Sequence, residues 1–218
     1  MAYIQGDNFS NDLIGTAFGD TIVGLGGNDT MEGGAGDDGL DGGSGLDWAL
    51  FAGGVGEYRV GVFSDHVTVN DVTFNGGSDL LFNVERIQFD DLGVAFDLYG
   101  NAGAAARLVG TLLGASAVYD PSYMRLFIEA FDAGYTAEQI AGYVIDILTD
   151  TNEQLGALIF YNLAQRPGSG AENAYVTDLI YQYGDENLTV AAGYTSYNEA
   201  NIDFAGLVAN GVDFLPII

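Results

Sequence analysis

GDNFSNDLI, GTAFGDTIV, GLGGNDTME, GGAGDDGLD and GGSGLDWAL run without a gap from Gly6 to Leu50. Each unit opens with glycine: Gly6, Gly15, Gly24, Gly33 and Gly42. The sixth place holds Asn11, Asp20, Asp29, Asp38 and Asp47, and the eighth holds Leu13, Ile22, Met31, Leu40 and Ala49. A fixed period that keeps an acid and an apolar residue in phase marks a chain coiled into stacked turns. The apolar eighth place makes a short strand with its side chain inward, and glycine permits tight turns through backbone angles closed to other residues. With two units per coil, units two apart stack on one edge. Their sixth residues then meet: Asn11 with Asp29, Asp20 with Asp38, and Asp29 with Asp47.

Two carboxylates held that close repel one another unless a cation lies between them. Tight turns also aim carbonyl oxygens at the gap, and carboxylate plus carbonyl oxygen is the donor set of a hard divalent ion such as calcium. The pattern resembles the nonapeptide GGxGxDxUx of the RTX family of calcium-binding secreted proteins. The match is close in GGAGDDGLD and GGSGLDWAL and good in GLGGNDTME. It weakens in GTAFGDTIV, where Phe18 replaces a glycine, and in GDNFSNDLI, where Asn11 replaces the acid.

The resemblance implies a ligand set. One turn supplies the carbonyls of places two and four with its acid, and the turn stacked on it supplies those of places one and three with its own. One expected site uses Leu25, Gly27, Asp29, Gly42, Ser44 and Asp47; a second uses Thr16, Phe18, Asp20, Gly33, Ala35 and Asp38. A third, through Asp7, Phe9, Asn11, Gly24, Gly26 and Asp29, has one carboxylate fewer and is expected to bind more weakly. A disordered Gly/Asp linker is the alternative, and the strict phase argues against it.

Composition narrows the rest. The chain has 218 residues and a formal charge of −26, with five arginines, no lysine and no cysteine. Sixteen of its 33 glycines and nine of its acids fall within residues 1–56, where no basic residue occurs before Arg59. Such a surface repels phosphate, which argues against a nucleic-acid partner. No stretch has the length of a membrane-spanning helix, so no membrane insertion is expected. Without cysteine there are neither disulfides nor thiolate metal sites. MAYIQGDNFS lacks the positive start and apolar core of a signal peptide. The resemblance implies another route: type I secretion through an uncleaved C-terminal signal, with the secretion machinery as a partner during export. Extracellular calcium modules bind at roughly 10⁻⁴–10⁻³ M. The acidic array is then expected to stay loose inside the cell and to fold outside it.

Residues 51–99 are rich in Val, Phe and Ile, and Val67 and Val69 alternate with polar residues as strands do. NGGSD at 75–79 is read as a turn between strands. The stretch Asp79–Phe89, ending NVERIQF, resembles the segment that follows RTX repeats, and its expected task is to close the coil, with Trp48 and Phe51 starting the plug. From Asn101 the apolar spacing is helical: Met124, Phe127, Ile128 and Phe131 fall on one stripe. Thr136 with Gln139, and Thr151 with Gln154, have capping-box spacing. RPG at 166–168 and Gly184 end helices. This half resembles a helical domain of unknown function found beside RTX repeats in bacterial surface proteins. Its tyrosines, at 161, 175, 181, 183, 194 and 197, are read first as core residues and second as an interface.

The expected fold is therefore α+β: a calcium-binding parallel β-solenoid (β-roll) with a β cap over 1–99, then a helical bundle over 100–218 that ends in the secretion signal. Neither HExxH nor GxSxG occurs, and the single histidine, His66, has no partner motif, so no catalytic residue is expected. The expected function is non-enzymatic: a secreted, extracellular or cell-surface protein that folds on binding Ca²⁺ and self-associates or joins the cell envelope. The alternative is an adhesion module that binds a glycan or a protein.

Overall fold

In the computed structural model, residues 1–73, 76–203, 207 and 210–214 are described, without the side chains of 196, 197 and 214. The chain divides into two compact units. The first holds Met1–Asp97 together with a late strand, Val212–Phe214, and the second begins at Leu98 and holds the helices. α+β is thus the observed class.

In the first unit the nonapeptides deal their strands alternately to two sheets. β1 (Tyr3–Gln5), β3 (Thr21–Val23) and β5 (Gly39–Asp41) lie in one sheet, and β2 (Asp12–Thr16), β4 (Thr30–Gly34) and β6 (Trp48–Leu50) in the other. Pairing is parallel at a spacing of one coil: Ile4 beside Ile22, Ile22 beside Leu40, Leu13 beside Met31 and Met31 beside Ala49. The eighth-place side chains fill the space inside; Ile22, Met31 and Ala49 are fully buried and Leu40 nearly so.

The stacks continue past the repeat. β9 (Ser78–Phe82) pairs parallel with β5, setting Leu81 beside Leu40, and β10 (Arg86–Gln88) pairs parallel with β6, setting Ile87 beside Ala49. Beyond them both sheets turn antiparallel and become mixed. β8 (Val67–Asp71) and β7 (Tyr58–Val62) follow β9, while β11 (Gly93–Ala95) and β12 (Val212–Phe214) follow β10. Phe51, Tyr58 and Phe89 cluster with ring centroids 5.0–5.7 Å apart at this end. The neighbouring acids Asp90 and Asp91 accept the Gly53 and Val55 N–H groups at 3.0 and 2.7 Å and pin the loop that carries them.

One expectation is corrected here. The helical bundle was expected over 100–218, but β12, in the closing segment NGVDFLPII, joins the β unit, pairing Val212 with Ala95 and Phe214 with Gly93. An open sheet edge offers unpaired N–H and C=O groups, and β12 covers the one that β11 would otherwise present. Residues 215–218 of that segment, and Asn75 of the expected NGGSD turn, lie outside the described residues.

The second unit contains seven α-helices among the described residues: α1 (Asn101–Leu112), α2 (Pro121–Asp132), α3 (Ala137–Leu148), α4 (Asn152–Ala164), α5 (Gly170–Tyr183), α6 (Asp185–Gly193) and α7 (Ser196–Asn201). Thr136 and Gln139 form a reciprocal capping box on α3, as do Ser169 and Glu172 on α5. On α4, Thr151 caps Gln154 N–H while the Gln154 amide reaches Asp150 N–H instead. Met124, Phe127 and Ile128 form the buried stripe of α2.

The tyrosines depart from expectation. Tyr161, Tyr175, Tyr181, Tyr183 and Tyr194 are all at least half exposed; the Tyr197 side chain lies outside the described residues. Tyr175, Tyr181 and Tyr183 lie on α5, which packs on α4 and α6, and the core is built around α1, which packs against α2, α3, α4, α6 and α7. Ten of its twelve residues are buried, and most are Ala, Gly, Val or Leu. Helices that approach on alanine and glycine leave no room for phenol rings: a Cβ on Gly110 would come within 2.5 Å of Ile202.

Met31→Ala should destabilise the first unit by about 2–5 kcal/mol, and Ile14→Ala, on the exposed face of β2, by under about 0.5 kcal/mol. Urea unfolding at fixed calcium concentration measures both.

Candidate metal centre

The acids of the sixth place are tied into two ladders by one repeated hydrogen bond. On one edge Asn11 N–H donates to Asp29 Oδ1 (2.8 Å) and Asp29 N–H to Asp47 Oδ1 (2.7 Å). On the other, Ala2 N–H donates to Asp20 Oδ1 and Asp20 N–H to Asp38 Oδ1 (2.6 Å). Strand register sets the rungs: each acid precedes its strand, so a coil-to-coil spacing of eighteen residues brings every carboxylate onto the backbone of the turn before it. Asp20, Asp29, Asp38 and Asp47 are all at most 2% exposed.

This bond uses one oxygen of each carboxylate, and the second separates the units into two kinds. In the first two units it is satisfied from within the turn. Asp7 N–H donates to the single side-chain oxygen of Asn11 at 2.8 Å, and Asp20 Oδ2 accepts the Thr16 N–H (2.7 Å) and hydroxyl (2.6 Å). In the last three units Asp29 Oδ2, Asp38 Oδ2 and Asp47 Oδ2 are buried without a hydrogen-bond partner. The backbone explains the difference. Places two and four are left-handed in these units only: Leu25 (φ +81°) and Gly27 (+98°), Gly34 (+96°) and Gly36 (+118°), Gly43 (+94°) and Gly45 (+149°). Asp7, Phe9, Thr16 and Phe18 occupy the same places in the first two units without positive φ. Leu25 holds that conformation despite the steric penalty of a side chain there, about 1–2 kcal/mol.

Titration separates Asp20 from Asp38 and Asp47. The Thr16 hydroxyl, helped by the Ala2 and Thr16 N–H groups, holds the Asp20 carboxyl below the usual range. Burial pushes the carboxyls of Asp38 and Asp47 up, against the hydrogen bonds they accept. A buried carboxylate oxygen with no donor is costly unless a positive charge answers it.

The donors around these oxygens suit a hard cation. A Cβ built on Gly24 would collide with Asp29 Oδ2 and lie 2.6 Å from Gly42 O. One on Gly42 would collide with Asn83 O and lie 2.6 Å from Asp47 Oδ2. Oxygens therefore converge beside the opening glycine, in a space no side chain could share. Among the described residues no three His, Asp or Glu side chains converge, so a cation here would draw the rest of its shell from backbone carbonyls.

The structure brings together Asp29, Asp47, Gly42 and Gly24, and stacks Leu25 on Ser44 and Ser44 on Gly27 through bonds of 3.0 Å. In the second expected set Asp20, Asp38 and Gly33 adjoin, with Gly15 beside them, and Ala35 N–H donates to Thr16 O at 3.2 Å, but Thr16 closes the Asp20 carboxylate. In the third, Gly26 N–H donates to Asp7 O at 3.2 Å, while Phe9, like Phe18 in the second set, points its ring to solvent. Two acids outside the repeat extend the ladders: Asp38 N–H donates to Asp79 Oδ1 (2.8 Å) and Asp47 N–H to Glu85 Oε2 (2.9 Å). Burial pushes the Glu85 carboxyl up, and burial with the neighbouring charge of Asp38 raises Asp79 to about 7. Their signal was available, since Asp79-Leu-Leu and Glu85-Arg-Ile repeat the acid-x-apolar phrase of the nonapeptide.

Parallel stacks with buried, half-satisfied aspartates define the class, a cation-binding repeat. The RTX calcium-binding nonapeptide repeat family model, in four copies, matches residues 6–49. The N-terminal array is therefore an RTX repeat, and its ion is Ca²⁺. Among solved structures, the extracellular lipase LipA of Serratia marcescens is similar at 22% identity and a TM-score of 0.37. The similarity covers 40% of this chain but only 14% of the lipase. No curated protein matches the chain.

Asp29→Asn keeps the acceptor for Asn11 N–H and removes the charge, and should weaken calcium binding at least about tenfold, or ~1.4 kcal/mol. Asp20→Asn, where Thr16 already serves the carboxylate, should change it less than about threefold (~0.7 kcal/mol). Calcium titration calorimetry on both variants separates the two kinds of unit.

Proposed function

We propose that this is a secreted protein whose N-terminal array, a calcium-loaded β-roll, completes its folding on meeting extracellular calcium. The observation behind the reading is the set of three unpartnered, buried Oδ2 atoms of Asp29, Asp38 and Asp47. A net charge of −26 opposes compaction, and each bound dication cancels two of those charges. Folding and ion uptake are therefore linked, as they are wherever a site exists only in the folded state. Among the described residues no helix is long and apolar enough to cross a membrane.

The role is structural rather than enzymatic. The helical unit provides the interaction surface, through which copies associate or attach to the cell envelope after type I secretion. Its exposed side chains support an interaction role: Tyr143, Tyr175 and Tyr181 are 65–68% exposed, and Ile147 is 81% exposed. Tyrosine is enriched where proteins meet. The same rings favour a second reading, adhesion to a glycan or a protein at a cell surface. Electron microscopy after calcium addition decides between them: ordered polymers support assembly, and monomers that bind cells support adhesion.

Calcium at a hundredfold over its dissociation constant should add about 2.7 kcal/mol of stability per site. Circular dichroism and hydrogen exchange in chelator and in millimolar calcium measure it. Identical folded spectra and equal protection in the two conditions would overturn calcium-triggered folding.

A further inference from the structure

The period of nine is lost after Leu50, and β7 and β8 intervene, but the ladder resumes in register. Asp79 Oδ1 accepts Asp38 N–H at 2.8 Å, in the same way that Asp38 serves Asp20 and Asp47 serves Asp29. Gly36 N–H donates to Gly76 O at 2.8 Å, the counterpart of the Gly27-to-Ser44 link at 3.0 Å inside the repeat. Gly77 is left-handed (φ +98°), matching Gly36 and Gly27 in the fourth place. Leu81 then enters the core beside Leu40. Residues 76–79 thus rebuild the second half of a repeat turn from a sequence that is off the period.

The acid of that turn adjoins Asp38, whose second carboxylate oxygen has no hydrogen-bond partner. Asp38 is 2% exposed and its Oδ2 has no partner, while Asp79 is 5% exposed. Asp37 and Asp71 add further negative charge around the pair. Two carboxylates on stacked turns, joined by the backbone carbonyls of those turns, would make up the donor set of a hard dication.

We propose that Asp79, from outside the repeat, joins Asp38 and the carbonyls of Gly34, Gly36 and Gly76 in an additional calcium site one turn beyond the nonapeptides. The proposal rests on the calcium reading of the array. It makes the segment after the repeat a ligand-bearing turn as well as a cap.

The test is the calcium stoichiometry of the full chain, by flow dialysis, for the native protein, Asp79→Asn and Asp12→Asn, the last removing an exposed acid of β2. Asp79→Asn should bind one ion fewer than the native chain, and Asp12→Asn the same number. Equal stoichiometry and affinity in Asp79→Asn and native protein would overturn the additional site and leave the calcium reading intact. A native chain that binds no calcium would overturn both. Should Asp79→Asn fail to fold, anomalous scattering from native crystals grown with terbium decides. A peak between Asp38 and Asp79 supports the site, and a peak between Asp29 and Asp47 with none at Asp79 excludes it.

Discussion

The nonapeptide coils depend on backbone N–H groups that donate to a carboxylate of the next turn, eighteen residues ahead within the repeat. The bond sets the spacing of the turns, and through the turns it sets the register of the strands. It also creates the need for an ion. An aspartate used this way gives one oxygen to the previous turn, and its second oxygen lies beside the opening glycine of its own unit, in a space no side chain could share. In Asp29, Asp38 and Asp47 that oxygen has no donor. Structure and binding here follow from one constraint, because the carboxylate that organises the coil is the one that must be neutralised.

Whether the need arises is decided locally. Thr16 in its non-left-handed conformation turns both N–H and hydroxyl onto Asp20. Leu25, Gly34 and Gly43 are left-handed, and the carboxylates of their units receive no such donor. Glycine at place four allows the same reversal, and Phe9 and Phe18 deny it to the first two units. The poorer match of those units to the nonapeptide is thus a difference of mechanism as well as of spelling: they close on themselves, and the later units stay open toward a cation.

Much of this was legible in the sequence. The phase of the acids and the apolar eighth place gave the stacking partners, because a strict period constrains geometry more tightly than propensity does. The capping box of α3 and the Thr151 cap of α4 depend only on residues three apart, so they too are local. What was lost is what period and propensity do not carry. Asp79 and Glu85 stand 41 and 38 residues from their partners, with a hairpin inserted on one edge and a shortened turn on the other. The exposure of Tyr175 and Tyr181 depends on which face of α5 packs against α4 and α6, a tertiary fact. The placement of Val212–Phe214 in the β unit depends on an edge that exists only once β11 has folded.

The ladder also has a direction. Each acid is an acceptor for the turn before it, so the first rung needs no acid of its own: Ala2 simply donates to Asp20. The last rung cannot be left open in the same way. Without Asp79 and Glu85 the buried N–H groups of Asp38 and Asp47 would lack acceptors, at about 1–3 kcal/mol each. A repeat of this kind can therefore begin abruptly but must be ended by a segment that itself carries acids. A purely apolar cap over the same coil would cover Leu40 and Ala49 and still leave two donors unpaired, so Asp79 and Glu85 are required by the hydrogen bonding of the repeat before any ion is considered.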